Sequence, residues 1–153
     1  MTPRLFDIGK DQYPALAALH ASAFAEAWSA AALADLLATP GAFAFHLADG
    51  FVLLRAAGDE AEILTLAVSP PARGRGLGRA LLRAAADHAA SLGVRSLFLE
   101  VGTENPAALA LYAGLGFAKA GQRKAYYAAG SGMGTDALVF KAQLPLSPPG
   151  DFA

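Results

Sequence analysis

The chain has 153 residues, the size of one ordinary domain, with 12 basic and 13 acidic residues, a net charge of −1 and no cysteine. That balance excludes a broadly basic nucleic-acid surface, and the missing cysteine excludes disulfides, thiolate metal sites and a cysteine nucleophile. Apolar residues make up 55%, enough to exclude intrinsic disorder for the body of the chain, although 38 of them are alanine and the larger side chains must build the core. The first residues hold no apolar export segment, and no uncharged stretch reaches the roughly 18 residues of a spanning helix, so a cytoplasmic location is expected.

In chain order, Arg4 to Ile8 reads as a short strand and Asp11 to Ala25 as a helix. Ser29 is placed to cap a second helix through Ala38, which Pro40-Gly41 ends. Ala42 to Ala48 and Phe51 to Ala57 flank Asp49-Gly50, a two-residue signal for a tight hairpin turn, and Glu60 to Val68 forms the next strand. Pro70-Pro71 stops it. A Gly/Arg loop, Arg73-Gly74-Arg75-Gly76-Leu77-Gly78, opens a long helix to about Leu92, with an apolar stripe through Leu77, Leu81, Ala84 or Ala85, His88 and Leu92. Gly93 suits the position just past its end, and Arg95 to Val101 is the following strand. Strand, loop, helix and strand in this order predict a parallel pair joined by a right-handed crossover. Asn105-Pro106 starts another helix, ending at Gly114 to Gly116. Two strands follow, near Phe117 to Tyr127 and Asp136 to Leu144. Residues 1–144 are expected to form a single domain and residues 145–153 a proline-rich tail. The fold class is α+β: a mixed, mostly antiparallel sheet with a βαβ crossover in its middle.

The Gly/Arg loop is the most informative segment. Without Cβ atoms at Gly74, Gly76 and Gly78, the backbone can turn its N–H groups toward one point, and the helix that follows aims the positive end of its dipole there. Arg73, Arg75, Arg79 and Arg83 concentrate cations within eleven residues, so phosphate or pyrophosphate is the natural guest. A solvated strand-to-helix turn is the plain alternative. No Gly-x-x-x-x-Gly-Lys-Ser/Thr run exists, and a dinucleotide fingerprint fails because Arg79 stands where its third glycine belongs. His20, His46 and His88 lack metal-ligand spacing, and no metal site is expected. Trp28 reads as a packing residue.

Arg73-x-x-Gly76-x-Gly78, with Leu64 to Pro70 before it and Arg79 to Leu82 after it, resembles the acetyl-CoA-binding segment of the GNAT N-acetyltransferases. Leu99-Glu100-Val101, Asn105, Ala108, Leu111-Tyr112 and Gly116-Phe117 extend the resemblance, which spans about Glu60 to Phe140. Arg123 and Tyr126-Tyr127 are similar to the RimI type, the bacterial ribosomal-protein-alanine N-acetyltransferases. The resemblance implies a seven-strand sheet with about four helices and acetyl-CoA as cosubstrate. It implies that the backbone of Leu66, Ala67 and Val68 pairs with the pantetheine arm, that N–H groups from Gly74 through Leu77 and Gly78 to Arg79 hold the pyrophosphate, and that Asn105 contacts the cofactor. The strands ending at Val68 and Val101 must then part to admit the arm.

Acyl transfer to an amine moves two protons. An α-amine with a pKa near ~7.7–8.0 must lose one before it attacks, and a departing thiolate must gain one. The resemblance makes Glu100 the base, directly or through water, and Tyr112 the acid, since a phenol with a pKa near ~10 stays protonated. Glu62 is a rival base, on the same face as Leu64, Leu66 and Val68 by strand alternation. Arg123, Tyr126 and Tyr127 are candidates for the acceptor pocket or simply strand filling. Without cysteine, direct attack in a ternary complex is expected rather than an acyl-enzyme. The implied acceptor is a protein N-terminus, with the N-terminal alanine of ribosomal protein S18 leading. A small amine, a lysine side chain and a non-catalytic CoA sensor remain the alternatives.

Overall fold

The computed structural model describes residues 2–5, 13–24, 28–102, 106–123 and 137–146, with the backbone alone at Arg123. Its strands are β1 Arg4–Leu5, β2 Ala42–Leu47, β3 Gly50–Ala57, β4 Glu60–Val68, β5 Ser96–Gly102, β6 Ala118–Arg123 and β7 Ala137–Gln143. Its helices are α1 Tyr13–Ala23, α2 Ala30–Leu37, α3 Leu77–Ser91 and α4 Pro106–Gly114. The strands form one sheet in the order β1-β2-β3-β4-β5-β7-β6. Every pair is antiparallel except β4 and β5, which α3 connects. The α+β class and the central crossover are as expected.

Helices cover both faces. On one, Leu16, Leu33 and Leu37 of α1 and α2 pack on Ala44, Phe51, Leu53 and Ala67. On the other, Leu81, Leu82, Ala85, Ala86 and Ala89 of α3, with Tyr112 of α4, pack on Val52, Leu54, Ile63, Leu97, Leu99 and Val101. The α3 stripe differs at its end from the expectation. Helix α3 stops at Ser91, so Leu92 leaves the stripe and stays 55% exposed. His88 sits at the rim, its ring 4.7 Å from Phe43 and 5.6 Å from Phe45. Leu146 is buried in the same core, which therefore runs past Leu144. Ser29 caps α2 as expected, its Oγ accepting the Ala32 N–H at 3.1 Å.

The hairpin turn moves by one residue. Leu47 pairs with Gly50, so Ala48-Asp49 form the turn and Gly50 begins β3. A Cβ at Gly50 would stand 3.0 Å from the Ala67 carbonyl oxygen and 3.0 Å from Leu81 Cδ1. Its glycine therefore answers to a close approach between strand and helix, not to turn geometry.

Strand β4 carries the irregularity that matters most. Leu54 pairs with Ile63 and Leu53 with Thr65, leaving Leu64 as an extra residue opposite no partner. Such a bulge bends the strand and resets its alternation. Ala61 and Ile63 face α3 before the bulge, and Leu66 and Val68 face it afterwards, while Leu64 and Ala67 pack toward α1 and α2. The expected common face of Glu62 with Leu64, Leu66 and Val68 is thereby corrected: Glu62 shares its side of the sheet with Leu64 only, because one inserted residue shifts the pleat.

Candidate active site

The parallel ladder between β4 and β5 begins at Glu60↔Ser96 and ends at Ile63↔Leu99. Both strands continue: β4 stays paired with β3 as far as Val68, and β5 with β7 as far as Gly102. The inner edges of Leu64–Val68 and of Glu100–Gly102 thus border a gap that opens at the bulge. Unpaired backbone on a sheet interior demands a polar partner, and an extended chain carrying amides supplies one. Leu66, Ala67 and Val68 lie on this open edge of β4.

Beyond Val68 the chain makes a short 3₁₀ turn over Pro70–Ala72 and enters the Gly/Arg loop. Gly74 and Gly76 hold φ of +80° and +81°, a conformation that L side chains rarely adopt. A Cβ at either would meet nothing within 4 Å, so their glycines serve backbone shape and leave open space above it. Gly76 caps α3 with no side-chain hydrogen bond, and the Ala80 N–H donates to the Gly76 carbonyl to open the helical ladder. The N–H groups of Leu77, Gly78 and Arg79 accordingly have no intrahelical acceptor. That set fits an anion held by backbone amides at a positive helix end.

The arginines divide their work. Arg73 Nε donates to the Val68 carbonyl at 3.2 Å, tying the loop to the end of β4. Arg79 Nη2 lies 3.2 Å from the place of a Cβ on Gly114, over the C-terminal end of α4, where a cation is favoured. Arg75 is exposed within the loop itself. Gly78 packs the start of α3 on α4, because a Cβ there would come 3.1 Å from Leu111 Cδ2.

Glu62 and Glu100 are brought together. Glu62 pairs in register with Phe98, and Glu100 with Val139, on the face away from α3. A cleft of about 380 Å³ is lined there by Arg55, Glu60, Glu62, Phe98, Glu100 and Val139, among others. Phe98 and Arg55 were not legible as site residues; the register of β5 against Glu62 is the signal that finds them. Tyr112 lies on the opposite face, 8% exposed, its ring 5.8 Å from Phe117 in an edge-on contact. Asn105, Tyr126 and Tyr127 lie outside the described residues, and Arg123 enters only as the last residue of β6, paired with Ala137.

The histidines hold no metal arrangement: among the described residues no cluster of three or more potential ligands occurs. His20 is a core residue, 2% exposed. Its Nδ1 accepts the Trp28 N–H at 3.1 Å, and its ring stacks on Phe24 and Trp28 at 4.5 and 5.0 Å. Burial lowers its pKa. Trp28 is thus a packing residue against an imidazole.

A gap where the β4–β5 ladder ends, a glycine-rich loop at the start of α3, and Glu100 and Tyr112 on opposite faces form the arrangement that the resemblance to the acetyltransferases implies. The chain belongs to the acetyltransferase (GNAT) family, whose family model matches residues 6–117. Over 97 residues it is 41% identical to the [ribosomal protein bS18]-alanine N-acetyltransferase of Escherichia coli strain K12, a match covering 63% of this chain and 64% of that protein's length. It is 50% identical over 68 residues to the N-alpha-acetyltransferase RimI of Mycobacterium tuberculosis, covering 44% of this chain and 41% of the relative. The crystal structure of the ribosomal-protein-S18-alanine N-acetyltransferase from Escherichia coli superposes with a TM-score of 0.81 at 28% identity, covering 99% of this chain and 100% of that one. Among the described residues no helix is long and apolar enough to cross a membrane.

Proposed function

We propose that the protein transfers the acetyl group of acetyl-CoA to the N-terminal α-amine of a protein, with the alanine terminus of ribosomal protein S18 as the leading acceptor. The observation that carries this reading is the end of the β4–β5 ladder at Ile63↔Leu99 while both strands run on. The edge of Leu66, Ala67 and Val68 would pair with the pantetheine amides, and the N–H groups of the Gly74–Arg79 loop would hold the pyrophosphate. Asn105 is assigned a further contact with the cosubstrate. When bound, acetyl-CoA supplies an acetyl thioester.

The chain's own groups handle the protons. The anion cradle lies at the start of α3, so the carrier enters from the α3 and α4 side and the amine arrives from the other face. Glu100 stands there, one residue past the last rung of the ladder, and takes a proton from the incoming ammonium directly or through a water. Tyr112, on the carrier's side, donates its phenolic proton to the departing thiolate. Each such group typically contributes ~10²–10⁴-fold. Amine and thioester meet in one ternary complex, in keeping with a chain that has no cysteine to acylate. Arg123, Tyr126 and Tyr127 are assigned to the acceptor pocket. The relatives named for bS18-alanine acetylation support the acceptor.

The test is a panel of free-amine peptides with acetyl-CoA, read by mass spectrometry. Acetylation of an alanine-initiated peptide is expected, lost when its terminus is blocked and unaffected when internal lysines are removed. Labelling at lysine alone would move the acceptor to a side-chain amine, and CoA binding without transfer to any amine would leave a sensor.

A further inference from the structure

Resting on the acetyl-transfer reading above, we propose that His20 is a positioning residue for the acceptor: its imidazole locks the α1–α2 connection onto the β4 arm of the strand gap. The bonds are specific. The Trp28 N–H donates to Nδ1 at 3.1 Å, so the neutral ring carries its proton on Nε2, which donates to Thr65 Oγ1 at 3.3 Å. Trp28 immediately precedes Ser29, the cap of α2. Thr65 lies two residues beyond Ile63, the last β4 residue laddered to β5, and directly before Leu66. One ring therefore fixes the described ends of the connection, Phe24 and Trp28, against the strand segment whose open edge borders the gap.

His20, Phe24 and Trp28 also sit on the side from which, on that reading, the amine arrives. Helices α1 and α2 cover the face of the sheet opposite α3, the face that Glu62 and Glu100 share. Phe24 stacks on His20 yet keeps 41% of its surface exposed, an aromatic ring presented to solvent. Phe51 closes the cage from β3 at 6.2 Å. The Trp28 bond needs the neutral ring, because a proton on Nδ1 would set two N–H donors against each other there, whereas Nε2–H can donate to Thr65 in either state. Among the described residues the charged groups on the neighbouring elements are Asp35 of α2, Arg55 of β3 and Glu60 and Glu62 of β4, all exposed, and burial is what disfavours the imidazolium.

The test uses the full chain and two variants. Thr65→Val keeps the Trp28 bond and the ring stack but severs the link to β4; His20→Phe keeps an aromatic ring and removes both bonds. With an alanine-initiated peptide, both are expected to raise the peptide KM about tenfold while the acetyl-CoA KM stays within about twofold. The single tryptophan gives a second readout. Its emission in the wild type should titrate with a midpoint below the ordinary imidazole value, since a stacked imidazolium quenches indole, and His20→Phe should be flat. Should His20→Phe fail to fold, Thr65→Val decides. An unchanged peptide KM in Thr65→Val, both KM values rising together, or a wild-type emission insensitive to pH overturns the inference. A wild type that acetylates no peptide defeats the transfer reading instead, which separates the two failures.

Discussion

Glu100 and Tyr112 lie on opposite faces of one sheet. Leu99 and Val101, the neighbours of Glu100 along β5, are buried against α3 in the core that also contains Tyr112, and alternation sends Glu100 the other way, beside Phe98 and Val139. Only a group that passes between β4 and β5 meets both. On the proposed mechanism Tyr112→Phe therefore lowers kcat by ~10²–10⁴-fold while the acetyl-CoA Kd stays near wild type, because the buried ring is retained and only the proton donor is lost. Titration calorimetry beside steady-state kinetics checks this; equal turnover in the variant removes Tyr112 as the acid.

The two carboxylates on the face away from α3 are expected to differ. Glu62 faces Phe98 one rung below the end of the ladder, whereas Glu100 follows its last rung and borders the gap itself. Glu100→Gln should cost ~10²–10⁴-fold in kcat/KM and abolish the limb of the pH profile that reports the base. Glu62→Gln should leave that limb in place. The reverse pattern would make Glu62 the base.

The proposed anion binding by backbone amides predicts a particular sensitivity. Gly76 holds φ +81° in open space, so a side chain there is opposed by conformation and not by a clash. The left-handed region costs an L residue ~1–2 kcal/mol, and relief of that strain would turn the amides away from their common point. Gly76→Val should raise the acetyl-CoA Kd about tenfold or more, measured by calorimetry. An unaltered Kd would detach the loop from cosubstrate binding.

Leu81 and Leu92 share a stripe by periodicity but not in the fold. Leu81 is fully buried between α3 and Gly50, and Leu92 is 55% exposed. Leu81→Ala should destabilise by ~2–5 kcal/mol, whereas Leu92→Ala should stay within about 0.5 kcal/mol. Urea unfolding of the pair is the measurement, and similar losses at both sites would contradict the packing described.

Stability should fall on mild acidification. Burial holds the His20 pKa below its ordinary value of 6.5. The unfolded chain therefore takes up this proton at higher pH than the folded one, and through that interval it binds more protons. The contribution of His20 is complete above about pH 6.5 and declines as pH falls through the unfolded value toward the folded one. Urea midpoints across that window should drop in the wild type and drop less in His20→Phe. Parallel curves would exclude His20 as the source.

Local rules were sufficient for most of the elements. The cap at Ser29, the proline that opens α4, the Gly/Arg loop ahead of α3 and the order strand-loop-helix-strand are written in residue types whose preferences act over a few positions, so they read directly as structure. The turn at Ala48-Asp49 was displaced because Gly50 is required by Leu81 and Ala67, which are far away in the chain. Glu62 was grouped with Leu66 and Val68, which lie on the opposite face, for a similar reason, since nothing local marks Leu64 as an extra residue.

The amino-acid order by itself determined the class of fold, the glycine-rich loop ahead of α3 and the residue types proposed for proton transfer, because these depend on backbone freedom and spacing along the chain. Tertiary structure alone decided where the ladder between β4 and β5 breaks, which face each carboxylate occupies, and that His20 joins Trp28 to Thr65. Those outcomes depend on register, and register is set by the packing of the whole sheet against both helix layers, which no short stretch of sequence encodes.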